Sequence, residues 1–289
     1  MKTVSVIIPT YRDWERLSKC LNAIKKQRYP AEFIQVIVIN NDPFDDNPFI
    51  NSDEYKNVKF LVEGKVGSYA ARNKGLNYAK GEIIAFTDSD CVPDEFWISN
   101  AVRHFEENSK CTRIGGKIEL FFKGNVSKTL AEFYEQSYAF RQKEFVQRQG
   151  MAATANMFSY KKVFDDISYF NDSLMSGGDA EWGVRANNKG YRIDYCDSVT
   201  VYHPARESMK QIFIKNRREA SGKIKNKRKV LINFVMSLLP PLKSLMYIRY
   251  HGNSIYKVLI AFFIRYLMRI DTAIEQIRVV FFNKKAERL

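Results

Sequence analysis

The stretch Glu82–Trp97, EIIAFTDSDCVPDEFW, runs from a short apolar segment straight into two acids one position apart, Asp88 and Asp90. Residues two apart in a strand point to the same side, so the spacing predicts that both carboxylates project together from the end of a strand. Open α/β sheets bind their ligands at that carboxyl edge. Two facing carboxylates repel unless a cation or hydrogen-bond donors satisfy them, and Mg²⁺ or Mn²⁺ bridging to a diphosphate does so. The plainer reading of the same residues is a solvated pair ahead of a helix starting at Pro93 and Asp94.

Upstream, VSVIIP (residues 4–9) and FIQVIVIN (residues 33–40) are β-branched runs without strict alternation, as strands covered on both faces require. Between them Trp14, Leu17, Leu21 and Ile24 fall at helical spacing, with Asp13 as the expected N-cap. A second cycle follows: VKFLVE, a helix over GSYAARNKGLNYA closed by Gly81, then EIIAF. Strand, helix and strand alternate, which predicts a mostly parallel sheet flanked by helices. Gly64, Gly67 and Gly75 do not form GxGxxG, which disfavours an ordinary dinucleotide fold. The four cysteines are widely spaced and are expected to be reduced core residues.

Three further segments bear chemistry. In VGSYAARNKGL (residues 66–76), Arg72 is a fixed cation able to meet a pyrophosphate, and Asn73 offers both a donor and an acceptor. In MSGGDAEWGVRANNKGYRIDYC (residues 175–196), a glycine turn leads into a helix at whose start Asp179 is either an N-cap or a general base, with Glu181 beside it. Trp182 is available to pack. VTVYHP ends an apolar run with His203, a residue type that serves as a polar neighbour or a metal ligand.

Charge is unevenly placed. The 289 residues carry a net charge of +14, and from Ala205 onward there are 19 Lys+Arg against 5 Asp+Glu, so residues 1–204 are balanced. A neutral body with a basic appendage predicts a domain over 1–204 and a basic helical region over 205–289. The basic run KNRREASGKIKNKRK precedes apolar segments, a pattern suited to an anionic membrane surface and ill suited to nucleic acid, so no nucleic-acid partner is expected. Neither segment holds about 18 uninterrupted apolar residues. On a helical wheel Lys257, Arg265, Arg269, Asp271, Glu275 and Arg278 share one half, and Leu259, Phe262, Phe263, Tyr266 and Ile270 the other, which predicts an interfacial helix. The alternative is a helix packed on the protein's own body or joining a homo-oligomer. The opening residues read as a cytoplasmic start.

VSVIIPTYRD, VIVINND, GSYAARNKG, AFTDSDCVPD, GGDAEWGVR and VYHP together resemble, in order and spacing, the family 2 glycosyltransferases, inverting enzymes of the GT-A fold; the resemblance covers about Val4 to Pro204. It implies a nucleotide-sugar donor and a saccharide or lipid-linked saccharide acceptor in surface polysaccharide or glycan synthesis, on the inner face of the cell membrane. It also implies nucleotide-sugar contacts at Pro9, Tyr11, Asn41, Asp42, Arg72, Asn73, Asp88, Ser89 and Asp90. Mg²⁺ or Mn²⁺ would lie on Asp90, Asp88 and His203, Asp179 would be the catalytic base, and Glu181 and Trp182 would meet the acceptor. The sequence departs from the pattern twice. Asn40 and Asn41 stand where an acid is usual, with an acid only at Asp42, which makes UDP the first expectation and leaves GDP and dTDP open. Gly178 replaces the acid that commonly precedes the catalytic aspartate. The competing enzyme class is a haloacid dehalogenase-type phosphohydrolase with Asp88 as nucleophile, and the competing non-enzyme class is a basic nucleic-acid-binding protein.

Overall fold

The computed structural model describes residues 1–122, 128–223, 226–247 and 255–282. Residues 224 and 225 of the basic run and the chain beyond 282 lie outside them. Contacts divide the chain into two compact units. The first comprises Met1–Glu119, Phe140–Leu174 and Gly178–His203; the second comprises Leu120–Ala139, Met175–Gly177 and Pro204–Leu289. The second unit thus takes in Leu120–Ala139, a segment that the sequence reading placed with the first domain.

The first unit is built on β1 (Val4–Thr10), α1 (Trp14–Lys25), β2 (Ile34–Asn40), β3 (Val58–Val62), α2 (Ser68–Tyr78), β4 (Ile83–Thr87), β5 (Val92–Pro93) and α3 (Trp97–Glu107). Then come β6 (Cys111–Phe121), α5 (Gln142–Glu144), β7 (Asn156–Tyr160), α6 (Lys161–Ile167), α7 (Gly178–Asn188) and β8 (Arg192–Pro204); α4 (Leu130–Tyr138), between β6 and α5, belongs to the second unit. The strands form one sheet in the order β3-β2-β1-β4-β7-β6-β8-β5. β3, β2, β1 and β4 are parallel, while β7 runs antiparallel to both β4 and β6.

The lack of alternation in the strand sequences has a direct cause. Val4, Val6 and Ile8 of β1, with Ile83 and Ala85 of β4, enter a core with Leu17 and Leu21 of α1 and Ile98 and Val102 of α3. Ile7, Ile84 and Phe86 enter a second core on the other face with Leu76 of α2, Phe164 of α6 and Trp182 of α7. Both faces are dry, so apolar residues follow one another along the strands, with Ser5, Thr10 and Thr87 as buried polar exceptions.

Two local expectations gave way to other partners. Asp13 makes no capping bond to α1 and accepts instead from Arg16 Nε at 2.8 Å. Gly81 is not a helix terminator. A Cβ there would meet Ser5 N at 2.5 Å, so its small size lets the turn press against β1, where its N–H donates to Ser5 Oγ. All four cysteines are free and buried.

The second unit contains α4 together with α8 (Met209–Lys223), α9 (Lys227–Ser237) and α10 (Ile255–Phe282). Ala131 and Tyr134 of α4, Ile212 of α8, and Ile264 and Met268 of α10 form its core. Glu135 is buried, which by itself would push its carboxyl pKa up, but Arg206 and Lys215 outweigh burial and hold it below the usual range. No helix of the described residues is long and apolar enough to cross a membrane.

Candidate active site

In the parallel register Thr10 of β1 stands beside Asn40 of β2, so the segments that follow these strands leave one edge of the sheet together. Those segments carry Tyr11, Asn41 and Asp42, and Asp88 directly follows β4. The first and second acids do not project as a pair. The Cys91 N–H donates to the Asp88 carbonyl at 3.1 Å, closing a tight turn beyond the strand. Asp88 accepts from Arg72 Nη2 at 2.5 Å. Asp90 Oδ2 lies 3.5 Å from His203 Nε2 and 3.5 Å from Arg16 Nη1. Ser89 Oγ is 3.5 Å from Asp13 Oδ2. Alternation along a strand does not survive a turn, and each carboxylate takes a separate cation.

Arg72 projects from α2 three residues after Tyr69, so the two share a face of that helix. Its guanidinium lies 5.7 Å from the centroid of the Tyr69 ring. The Tyr69 hydroxyl donates to Asp179 Oδ1 at 3.2 Å. One continuous chain therefore runs from Asp88 through Arg72 and Tyr69 to Asp179. Asp179 sits in the first turn of α7, where the Ala180 N–H also donates to it at 2.9 Å. Burial pushes its carboxyl pKa up, with the Ala180 N–H, Arg72 and the Tyr69 hydroxyl opposing that shift. Sequence reasoning missed Tyr69, although its spacing from Arg72 was a usable signal.

Tyr69 also accounts for Gly178. A Cβ at Gly178 would come within 2.8 Å of the Tyr69 ring, so the aromatic ring fills the space that any side chain at this position needs. Where a preceding acid would stand, Asp179 has a phenol for a neighbour.

Several expected contact residues are committed to the scaffold. Asn73 Nδ2 donates to the Phe170 carbonyl at 2.8 Å, and the Phe170 N–H donates to Asn73 Oδ1 at 3.0 Å, a strand-like pair made by a side chain. Asn41 Nδ2 donates to the carbonyls of Glu63 and Lys65, and Asn41 Oδ1 accepts from the Gly67 N–H at 2.8 Å. Its amide fixes the start of α2. Asp42 accepts from Arg12 Nε at 2.6 Å and from the Phe44 N–H at 3.1 Å. Arg12 itself has a positive φ of 52° and stacks near Tyr11, 5.4 Å from the ring centroid. Pro9 is buried within β1, in register with Ile39.

The acceptor expectation for Trp182 is corrected. Its ring is fully buried, stacked on Phe164 at 4.2 Å between centroids, and its Nε1–H donates to the Ser168 carbonyl. It cannot touch an acceptor from there. Glu181 is held by Arg185 in a two-point pair at 2.7 and 3.0 Å. Trp182→Ala is expected to lower stability by about 3–5 kcal/mol, the usual result of emptying an aromatic site in a packed core. Urea denaturation measures this. An unshifted midpoint would return Trp182 to the surface.

Among the described residues, Asp90, Cys91 and His203 place potential ligand atoms within 4.8 Å of one another; Asp88 is not in that group. Neighbouring ligands at right angles on an ion with bonds of ~2.1 Å lie about 3 Å apart, close to the separation of Asp90 Oδ2 and His203 Nε2. Burial raises the Cys91 thiol well above its ordinary pKa, and a hard divalent ion takes oxygen and nitrogen in preference to sulfur. The oxygen and nitrogen donors that remain suit Mg²⁺ or Mn²⁺. Phe140 packs against the His203 ring at 4.4 Å between centroids and holds its plane.

A family model described as glycosyl transferase family 2 matches residues 5–167. The glycosyltransferase AglE of Haloferax volcanii is 36% identical over 207 residues, covering 70% of this chain and 67% of that protein. Two solved structures share the fold. The mannosyltransferase PcManGT from Pyrobaculum calidifontis, in complex with GDP-Man and Mn²⁺, superposes with a TM-score of 0.59 at 15% identity, over 98% of this chain and 76% of that one. Residues 1–349 of Staphylococcus aureus TarS, in complex with UDP-GlcNAc, give 0.57 at 18% identity, over 90% and 70%.

Proposed function

The chain belongs to glycosyl transferase family 2 and has the GT-A fold, and from this premise we propose that it moves a sugar from a nucleotide-sugar donor to a hydroxyl of a saccharide or lipid-linked saccharide acceptor, with inversion, in the making of a surface polysaccharide or glycan. The single observation that carries the reading is the chain of contacts from Asp88 through Arg72 and Tyr69 to Asp179, which joins a diphosphate-type edge to a half-buried carboxylate.

In this reading Asp90 and His203 hold Mg²⁺ or Mn²⁺. A bound divalent ion offsets charge on a departing nucleoside diphosphate. Asp88, oriented by Arg72, faces the ribose, and Arg72 adds fixed positive charge where the leaving group develops its negative charge. Asp179 takes the proton of the attacking acceptor hydroxyl, and one displacement at the anomeric carbon inverts its configuration. Asp42 carries base recognition, with Tyr11 and Ser89 completing the donor site. UDP is the first choice of base. Asn41 and Asn73 support the loop and the helix on which these residues stand. The phosphohydrolase reading finds no help here, because Asp88 follows the fourth strand and is paired with Arg72.

The basic region beyond Ala205 would hold the enzyme peripherally at the anionic inner face of the cell membrane, where a lipid-linked acceptor is found. Incubating the full chain with Mn²⁺ and a panel of nucleotide-sugars is expected to raise the melting temperature with one base class and to yield that nucleoside diphosphate when acceptor lipid is supplied. Phosphate release from a simple phosphomonoester, with no nucleotide-sugar turned over, would overturn the proposal.

A further inference from the structure

The long helix α10 brings several residues of its charged half inward beside the core residues Ile264 and Met268, whereas an ordinary amphipathic surface helix keeps them in solvent. Its charged half, which the helical wheel assigns to solvent, binds other helices of its own unit. Asp271 accepts from Arg217 Nε of α8 at 2.9 Å and from Asn216. Arg265 Nη1 donates to the Tyr134 hydroxyl of α4, and Arg269 donates to the Met236 and Leu239 carbonyls at the end of α9. Glu275 is buried and paired with Arg278. Of the apolar half, Leu259 and Phe263, at 57% exposure, lie outside and form a stripe with Leu267 and Ile274, while Phe262, Tyr266 and Ile270 are half-buried. Val235 of α9 and, beyond its end, Leu239 and Leu242, the last at 67%, are exposed as well.

So much contiguous apolar surface on one unit marks a surface that something covers. We propose that this face of α9 and α10 sinks into the acyl boundary of an anionic lipid bilayer, so that the protein is held by hydrophobic insertion and not by charge attraction alone. Charge selects the bilayer over a second copy. Lys227, Arg228, Lys229, Lys243 and Lys257 are exposed on α9, on α10 and on the segment between them, and the only acids among the described residues from 226 to 282, Asp271 and Glu275, are engaged by Arg217 and Arg278. A two-fold pairing of this face with itself would set cation against cation. Anionic headgroups above an acyl layer meet both its charge and its apolarity. The inference deepens the membrane placement proposed above, and vesicle binding is read apart from sugar transfer, so either can fail without the other.

The test is flotation of the full chain with vesicles of phosphatidylcholine and phosphatidylglycerol, or phosphatidylcholine alone, at low and at ~1 M salt. Binding to the anionic vesicles is expected to survive high salt, where an attachment made of charge alone is screened away. Phe263→Glu with Leu267→Glu is expected to lower the bound fraction at least ~10-fold while the melting temperature holds, because a charge is costly at the acyl boundary. Phe263→Leu should bind as the wild type does. Release of the wild-type protein at high salt would overturn insertion without recourse to any variant. So would equal flotation of the double-glutamate protein, or a wild-type dimer that this variant dissociates and that never floats.

Discussion

Asp179→Asn is expected to lower turnover at least ~100-fold while nucleotide-sugar binding stays nearly intact, because on the proposed role the change removes the proton acceptor and keeps the volume of the side chain. Calorimetric titration of the donor beside steady-state kinetics separates the two effects; unchanged turnover would leave Asp179 as a helix-end residue only. Its pH profile adds a second check. Burial raises the Asp179 pKa, so the base is lost as pH falls through a value above that of an ordinary aspartate, and the acid limb of kcat/KM lies correspondingly high. The Tyr69 hydroxyl stabilises the charged form. Tyr69→Phe should therefore move that limb to still higher pH, whereas a merely space-filling Tyr69 would leave it in place.

Asp90→Ala is expected to abolish saturable Mn²⁺ binding and to reduce transfer by ~100- to 1,000-fold, the loss that several kcal/mol of charge stabilisation represents. His203 would remain as a lone ligand. Manganese binding by electron paramagnetic resonance reads the site directly, and circular dichroism confirms the fold. Full activity in excess chelator, or wild-type manganese binding by the variant, would remove Asp90 and His203 from the metal site.

What could be read from the sequence follows from the range of its signals. β1, β2 and β4 announce themselves as β-branched runs because each buries both faces locally. The acids of the DxD stretch and His203 stand out because their residue types bear chemistry wherever they sit. Partners distant in the chain are a different matter. The Asn73 carboxamide pairs with the backbone of Phe170, 97 positions away, and nothing near Asn73 foretells this. Trp182 is apolar and large at a motif position, which fits either a core or an acceptor platform until Phe164 is found stacked on it. For α10 the periodicity separates two halves correctly but does not say which half turns inward. The answer depends on Tyr134, Arg217 and the end of α9.

The Arg16 guanidinium, spanning Asp13 at 2.8 Å and Asp90 at 3.5 Å, gives the acidic edge a counter-charge that belongs to the chain itself. Carboxylates so accompanied need no ion to fold against one another. On the metal site proposed for Asp90 and His203, a chelator would remove the ion and leave a folded chain that can be reloaded, because Arg16 supplies a counter-charge to Asp90. Purification in chelating buffer would then cost activity that added manganese restores, and would not cost protein.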